Sequence, residues 1–205
     1  MKMNKGQLIV VSGPSGSGKD TVICKAMKKM GNKAFLSVSM TTRRKRGNEK
    51  DGVDYYFVSK DEFESHIHNG DMLEYAQYGS NYYGTPIAPI KERMNNGETV
   101  FLNIEVQGGA SIRKLMPEAV QIFIIPPSMK ELERRLRKRA TEDEDAIRKR
   151  MLIAESEISR ACEYDYIVIN DDLDDAVKEL LDIINGQKNK NENINKMISE
   201  VLNNV

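Results

Sequence analysis

The stretch Gly13-Pro14-Ser15-Gly16-Ser17-Gly18-Lys19-Asp20-Thr21 decides the fold of this chain. It follows the apolar run Leu8-Ile9-Val10-Val11 and precedes residues 22–27, whose composition is typical of a helix. A strand, a glycine-rich loop and a helix in this order make a cradle for phosphate. The glycines let backbone N–H groups turn toward an anion, and the helix N-terminus adds partial positive charge. Lys19 supplies a full charge, so the stretch predicts a P-loop, a loop that binds the phosphates of a nucleotide.

The usual P-loop pattern has Ser or Thr directly after the lysine, whereas this chain has Asp20. Nine residues of this kind, taken alone, also fit a plain glycine-rich turn. The strand before them and the helix after them favour the P-loop.

Composition narrows the class of protein. The chain has 205 residues, with 31 basic and 31 acidic side chains, so its net charge is zero. This balance argues against a nucleic-acid partner, and the lack of an 18-residue apolar run argues against a membrane helix. Cys24 and Cys162 have no spacing for disulfides or metal, so we expect buried thiols in a reducing cytoplasm. We expect His66 and His68 to be surface residues of one short helix rather than metal ligands.

The remaining apolar runs predict an α/β fold. Strands are predicted at residues 8–12, 34–40, 99–106, 120–125 and 166–169. Helical segments separate them, which predicts a parallel sheet with helices on both faces. Between residues 41 and 96 the pattern breaks into short strands, at 53–58 and 73–78, around a helix at 60–69. That region predicts an inserted α+β lobe.

Helix signals mark the C-terminal half. Pro126-Pro127-Ser128 predicts a helix start capped by Ser128. Thr141-Glu142-Asp143-Glu144 fits a capping box and predicts a helix that runs to about residue 163. The charged segment at 138–144 between the two helices is expected to be a mobile flap.

The end of the chain predicts a helix after a polar linker at residues 186–193. Its apolar residues fall at helical spacing and are Ile194, Met197, Ile198, Val201, Leu202 and Val205. Twelve residues are too few for a stable isolated helix. Docking on the chain's own core is favoured, and self-association and disorder stay open.

Phosphoryl transfer requires a second phosphate site for the acceptor. The segment Ser39-Met40-Thr41-Thr42-Arg43-Arg44-Lys45-Arg46 offers arginines, whose forked donors match phosphate oxygens. Alone, the segment fits a solvated basic loop equally well. Tyrosines in Asp54-Tyr55-Tyr56 and Asn81-Tyr82-Tyr83 add hydroxyl donors, although tyrosine pairs in strands more often serve packing.

Together with others given next, these motifs make the chain resemble guanylate kinases over about residues 5–185. Six of them stand in that family's order: residues 13–19, Ser39-x-Thr41-Thr42-Arg43-x-x-Arg46, Gly52-x-Asp54-Tyr55, Glu74-Tyr75-Ala76, Asn81-Tyr82-Tyr83-Gly84-Thr85 and Ile169-Asn170-Asp171-Asp172. The resemblance implies phosphorylation of GMP, and of dGMP, by ATP. It implies a core at 5–40 and 97–185, a GMP-binding lobe at 41–96 and a mobile lid at about 138–150, followed by the linker and helix of residues 186–205.

The resemblance also implies roles for single residues. The nine residues of the P-loop and Asn170 would bind ATP. The expected GMP contacts are Arg43, Arg46, Tyr55 and Tyr83 for the phosphate, Ser39, Glu74 and Thr85 for guanine, and Glu105. The expected catalytic cations are Lys19, Arg43, Arg135, Arg139 and Arg150.

Magnesium is the expected cofactor and would accompany ATP. Thr21 and Glu105 are its expected partners, directly or through water. Two residues depart from the family pattern: Asp20 replaces a hydroxyl, and Asn103 stands where relatives often have an acid. We expect Asp20 to replace Asn103 in part as a water-mediated partner of the metal.

Three functions remain open at this point. The first is an active guanylate kinase, acting as a monomer or a homodimer. The second is an inactive guanylate-kinase-like interaction module, and the third is a monophosphate kinase for another base. Lys19 and the arginines favour an enzyme, and Glu74 with Ser39 favours guanine.

Overall fold

The computed structural model of the chain describes residues 6–138, 143–190 and 193–203, and its strands follow the apolar runs of the sequence. The strands are β1 (Leu8–Ser12), β2 (Ala34–Leu36), β3 (Met40–Thr41), β4 (Tyr56–Phe57), β5 (Met72–Tyr78), β6 (Asn81–Pro86), β7 (Thr99–Asn103), β8 (Val120–Ile125) and β9 (Tyr166–Ile169). The helices are α1 (Lys19–Met30), α2 (Lys60–His68), α3 (Ile87–Asn95), α4 (Val106–Leu115), α5 (Met129–Lys138), α6 (Glu144–Ser159), α7 (Leu173–Ile184) and α8 (Ile194–Asn203).

Contacts divide the chain into two compact units, each described by itself below. The first unit holds the segment up to Leu8, Asn32–Leu102 and Gln107–Ala119. The second unit holds Ile9–Gly31, Asn103–Val106 and the described residues from Val120 onward.

Three parallel strands form the centre of the second unit. β1 pairs with β8, with Ile9 opposite Val120, and β8 pairs with β9, with Ile122 opposite Tyr166. All three strands have the bounds that the sequence predicts, because their apolar runs are buried on both faces of the sheet. The prediction of a parallel α/β sheet is therefore confirmed.

Helices cover both faces of these strands. Phe123, Ile125 and Ile167 pack in one cluster with apolar residues of α5, α6 and α8. Successive residues of a strand face opposite sides, so the equally buried Ile124 and Val168 face the other side. On that side α7 contacts β9, and α1 packs along α7.

The first unit contains the inserted α+β lobe that the sequence predicts. Its four-stranded sheet has the order β4-β3-β6-β5, in which β3 and β4 are parallel and the other pairs are antiparallel. Phe63 of α2 is fully buried and stacks on Tyr82 with ring centroids 5.3 Å apart. Its ring atom Cζ lies 3.0 Å from the place where a side chain of Gly84 would begin. A glycine there lets the helix pack close to the sheet. In the same unit β2 pairs in parallel with β7.

Two predicted strands end earlier than expected. The predicted strand at 34–40 divides into β2 and β3, because Ser37 still donates to Phe101 whereas Met40 already pairs with Tyr56 and Gly84 of the other sheet. The predicted strand at 99–106 ends at β7, because Val106 begins α4.

The prediction of buried thiols was wrong, since Cys24 and Cys162 are both exposed. Cys24 follows the buried Ile23 on α1, and the helical turn of 3.6 residues carries it away from the core. Cys162 lies in a 3₁₀ turn, Ala161–Glu163, in which Ala161 takes the buried position. Both histidines lie on α2, where His68 is exposed and His66 contacts Asp71.

Helix caps agree with the sequence in part. Ser128 accepts a hydrogen bond from the backbone of Glu131 at 3.1 Å and so caps α5 as predicted. Asp143 caps α6 by accepting from the backbone of Ala146, rather than Thr141, which with Glu142 lies outside the described residues. No helix in the described part of the chain is long and apolar enough to cross a bilayer.

The C-terminal helix docks on its own unit, as favoured from the sequence. Ile198 and Val201 of α8 are buried in the cluster with Leu132, Leu136 and Ile158. Because this apolar face is covered by the chain itself, α8 adds to the core of the second unit.

Ile198→Ala should therefore destabilise the protein by about 2–3 kcal/mol, because it removes buried methyl groups and leaves a cavity. The measurement is urea unfolding of both proteins. Ser199→Ala, at an exposed position of the same helix, is the control and should stay within about 0.5 kcal/mol of the original. Equal stabilities of the two variants would contradict the docking of α8.

Candidate active site

The glycine-rich loop of the second unit winds around the start of α1. The Ser17 N–H donates to Pro14 at 3.1 Å, and the N–H groups of Thr21 and Val22 donate to Gly18 at 3.0 and 3.1 Å. Gly18 itself has φ 87°, in the left-handed region that favours glycine. A side chain there would also begin 2.3 Å from the amide nitrogen of Asn170. The loop therefore leads directly into the N-terminus of α1, and a helix N-terminus is a site for an anion.

Two predicted site residues hold this loop in place. Asn170 is buried and its Nδ2 donates to the carbonyl of Ser17 at 2.7 Å. Arg135 donates from Nη1 to the same carbonyl at 3.4 Å and from Nη2 to the carbonyl of Asn170 at 2.9 Å. Both side chains thus act on the P-loop backbone.

Glu131 of α5 fixes the third nitrogen of Arg135. Its Oε1 accepts from the Nε of Arg135 at 2.7 Å, and both of its oxygens accept from Arg134. The hydrogen bonds from Arg134 and from Arg135 lower the pKa of Glu131 to about 2. The guanidinium of Arg135 is therefore oriented by three separate partners.

Lys19 begins α1 and is close enough to Glu157 of α6 for its charge to act on that carboxyl. Burial and the negative charge of Glu105 raise the pKa of Glu157 to about 6, against the opposing effects of Lys19 and Arg160. Glu157 lies on α6, far along the chain from the loop, and the sequence analysis missed it. A single glutamate in a helical segment gives no sign in the sequence that packing brings it near Lys19.

Asp20 and Asn103, the two residues that depart from the family pattern, contact each other. The amide Nδ2 of Asn103 donates to Oδ1 of Asp20 at 2.5 Å. Asp20 is exposed in the first turn of α1, where a carboxylate is favoured by the helix dipole. Thr21 and Glu105, the predicted metal partners, are exposed as well.

Of the other predicted cations, Arg150 reaches the loop and donates to Oγ of Ser15 at 2.5 Å. Arg139 lies outside the described residues. The hydroxyl of Ser17 is fully buried and has no hydrogen-bond partner among the residues that the structure describes.

The predicted guanine-reading residues form one row across the four-stranded sheet of the first unit. Glu74 of β5 is paired with Thr85 of β6, whose hydroxyl donates to Oε1 of Glu74 at 2.6 Å. Met40 of β3 pairs with Gly84, and continuing this antiparallel register by one residue brings Ser39, which precedes β3, next to Thr85. Residues opposite each other on paired strands face the same side. The row therefore gathers a carboxylate and two hydroxyls on one face.

Three of the predicted phosphate-binding residues, Arg43, Tyr55 and Tyr83, lie near one another beside this row. Tyr83 is two residues from Thr85 and shares its side of β6. Its ring lies 6.2 Å from that of Tyr55, and the guanidinium carbon of Arg43 lies 5.4 Å from the Tyr55 ring. The structure thus places Arg43, Tyr55 and Tyr83 beside the row that ends at Glu74.

An ion pair that the sequence analysis missed holds Arg43. Glu49 accepts from Nη2 at 2.8 Å and from Nη1 at 3.0 Å, and Arg43 is only 9% exposed. This pairing raises the pKa of Arg43 and lowers that of Glu49. Arg46 has an exposed side chain, and its backbone N–H donates to Glu49 at 2.8 Å.

The raised pKa of Glu157 predicts a pH dependence of stability. Between pH 4.5 and about 6 the folded chain keeps a proton on this carboxyl that the unfolded chain releases. The folded state then binds more protons, so this contribution to stability is present below pH 4.5 and is lost as pH rises through about 6. The unfolding free energy of the original chain relative to Glu157→Gln should fall across this window by on the order of 1–2 kcal/mol.

Urea unfolding at several pH values measures this difference. Glu155→Gln, at an exposed position of the same helix, is the control and should give a difference that does not vary with pH. A difference that rises with pH for Glu157→Gln would contradict the burial of its carboxyl.

Comparison with known proteins agrees with this geometry. The family model described as guanylate kinase matches residues 5–187. The guanylate kinase of Carboxydothermus hydrogenoformans is 47% identical over 193 residues, which is 94% of each chain. That of Clostridioides difficile is 48% identical and covers 93% of this chain and 92% of its own length. The crystal structure of guanylate kinase from Anaplasma phagocytophilum has a TM-score of 0.72 at 32% identity, covering 96% of this chain and 95% of that one. The chain therefore belongs to the guanylate kinase family of nucleotide-binding transferases.

Proposed function

We propose that this chain transfers the terminal phosphoryl group of ATP directly, in line, to GMP. One observation carries the proposal: a single sheet face holds the row of Ser39, Thr85 and Glu74 next to Arg43 and the two tyrosines. Such a face offers a base-reading carboxylate and a phosphate-binding arginine to the same small ligand. The second unit supplies the P-loop for the donor nucleotide.

Glu74 is proposed to read guanine. Guanine presents N1–H and N2–H as adjacent donors, and a carboxylate accepts from both, whereas adenine lacks this pair. The hydrogen bond from Thr85 fixes the carboxylate and supports its acceptor role. AMP would leave Glu74 without those donors, which costs about 1–3 kcal/mol for a base contact.

The phosphate of GMP is proposed to bind Arg43, Arg46, Tyr55 and Tyr83. Buried arginine with neighbouring hydroxyls suits a dianion, because ionised partners make the stronger hydrogen bonds. None of these contacts requires the 2′-hydroxyl of the ribose, so dGMP is proposed as a second acceptor. The product is a nucleoside diphosphate, which places the reaction in the recycling of GMP within purine nucleotide metabolism.

In the second unit, Lys19 and the P-loop are proposed to bind the phosphates of ATP. Phosphoryl transfer depends mainly on positioning and on neutralising charge. Arg150 adds a cation at the loop through Ser15, and Arg135 holds the loop backbone. Arg139 remains a predicted cation of the same kind.

The residues of this loop suit a Mg²⁺ ion whose ligands are chiefly nucleotide oxygens and water. Asp20, Thr21 and Glu105 are exposed oxygen donors, the kind that Mg²⁺ prefers. Among the described residues no group of three or more acidic, histidine or cysteine side chains forms a metal cage. When bound with ATP, the ion neutralises phosphate charge. The hydrogen bond from Asn103 leaves the second carboxylate oxygen of Asp20 as a candidate partner of a metal-bound water.

A coupled assay of ADP release across GMP, dGMP, AMP, CMP and UMP tests the function. We expect turnover with GMP and dGMP, and kcat/KM lower with the other three by about 5- to 150-fold, the equivalent of 1–3 kcal/mol. Nucleotide binding without turnover would favour an inactive interaction module. Turnover with another monophosphate would identify a kinase for a different base.

Glu74→Gln should selectively damage guanine recognition, since the amide places a donor against a donor of the base. The expected loss in kcat/KM for GMP is about 1–3 kcal/mol, which is roughly 5- to 150-fold, with the KM for ATP unchanged. Glu92→Gln, at an exposed carboxylate of α3, is the matched control and should be silent. Unchanged discrimination between GMP and AMP in Glu74→Gln would show that another residue reads the base.

A further inference from the structure

Hydrogen bonds to Glu49 and to the backbone of Arg44 account for three of the five N–H donors of Arg43. Glu49 accepts one hydrogen bond from each terminal nitrogen, Nη1 and Nη2, across the end of the guanidinium. The backbone carbonyl of Arg44 accepts a second one from Nη1 at 2.7 Å. A guanidinium has five N–H groups in a rigid plane, so the donors turned away from Glu49 and Arg44 are Nε–H and the second N–H of Nη2, and Tyr83 also hydrogen-bonds this side chain.

We propose that Glu49 is a positioning residue that turns Arg43 so that this remaining pair of donors faces the acceptor phosphate. In the planar guanidinium these two N–H groups are parallel and form the side fork that binds a phosphate bidentately. The inference rests on the proposed function, because it assumes that GMP binds to this face of the first unit.

The surroundings of Arg43 support this orientation. Its backbone N–H donates to Oγ1 of Thr41, a fully buried residue of β3, at 3.2 Å. Tyr55 packs against the guanidinium, and a hydrogen bond with Tyr83 contributes to the raised pKa of Arg43. The backbone and the planar group are therefore both held, with the tyrosines of the phosphate site as neighbours.

Glu49 also ties the second arginine to the first. The oxygen that accepts from Nη1 of Arg43 accepts from the backbone N–H of Arg46 at 2.8 Å, and the N–H of Glu49 donates back to the carbonyl of Arg46 at 3.0 Å. This closed loop of four residues sets the place from which the exposed Arg46 side chain extends. One carboxylate thus supports both arginines that are proposed to bind phosphate.

An opposing role for Glu49 makes the inference testable. The carboxylate of Glu49 could instead compete with the phosphate of GMP for Arg43. In that case, removing the carboxylate would make GMP bind more tightly. A positioning residue that is removed leaves weaker binding. The two roles therefore predict opposite changes in the affinity for GMP when Glu49 is replaced.

The experiment is calorimetric binding of GMP and of guanosine, which lacks the phosphate, to the full chain and to Glu49→Gln. We expect at least about tenfold weaker binding of GMP by the variant and unchanged binding of guanosine. In steady-state assays the KM for GMP should rise more than kcat falls, with the KM for ATP unchanged. Glu49→Asp, which keeps the charge, should restore part of the affinity for GMP.

Glu92→Gln is the matched control and should bind both ligands like the original chain. Unchanged or tighter binding of GMP by Glu49→Gln would overturn the inference. Equal losses for GMP and guanosine would also overturn it, because they would show general damage to the lobe. Failure of the original chain to bind GMP would instead refute the proposed function, so the two failures are distinguishable.

Discussion

The register of β6 between β3 and β5 is the constraint on which the proposed acceptor site depends. Alternate residues of β6 face one side, so Tyr83 and Thr85 lie together, and Thr85 meets Glu74 at hydrogen-bonding distance. A slip of one residue would turn every side chain of the strand to the opposite face. The buried Phe63, packed against Gly84 on the other side, resists such a slip, because it would place a side chain where the ring lies.

The sequence predicts the strands of the second unit well and the acceptor sheet less well, for a physical reason. Strands buried on both faces are continuous apolar runs, so β1, β8 and β9 have the predicted bounds. β3 and β4 are two residues long and lie beside a tight turn, in which the N–H groups of Val53 and Asp54 both donate to Lys50. Strands this short carry no period that a sequence pattern could reveal.

In the candidate site, too, local motifs could be predicted from the sequence, whereas contacts between distant residues could not. The P-loop is a local motif, and its residues were predicted with their neighbours. The acceptor residues were predicted through a family resemblance, whereas the contacts that orient them were not. Glu49 lies six residues from Arg43 in an irregular loop, and Glu157 is brought toward Lys19 only by the packing of α6. Neither pair is joined by one regular helix or strand whose period would bring the two side chains together.

Arg135 is proposed to lie near a phosphate, and it also holds the loop that is proposed to bind one. Its three nitrogens each have a separate protein acceptor, in Glu131, Ser17 and Asn170. Two of these acceptors are backbone carbonyls, and a carbonyl directed toward an anion site would repel the ligand. By donating to the carbonyl of Ser17 together with Asn170, the guanidinium keeps that oxygen engaged. Arg135 therefore fixes the backbone of the glycine-rich loop through the carbonyls of Ser17 and Asn170, independently of any charge that it offers to a phosphate.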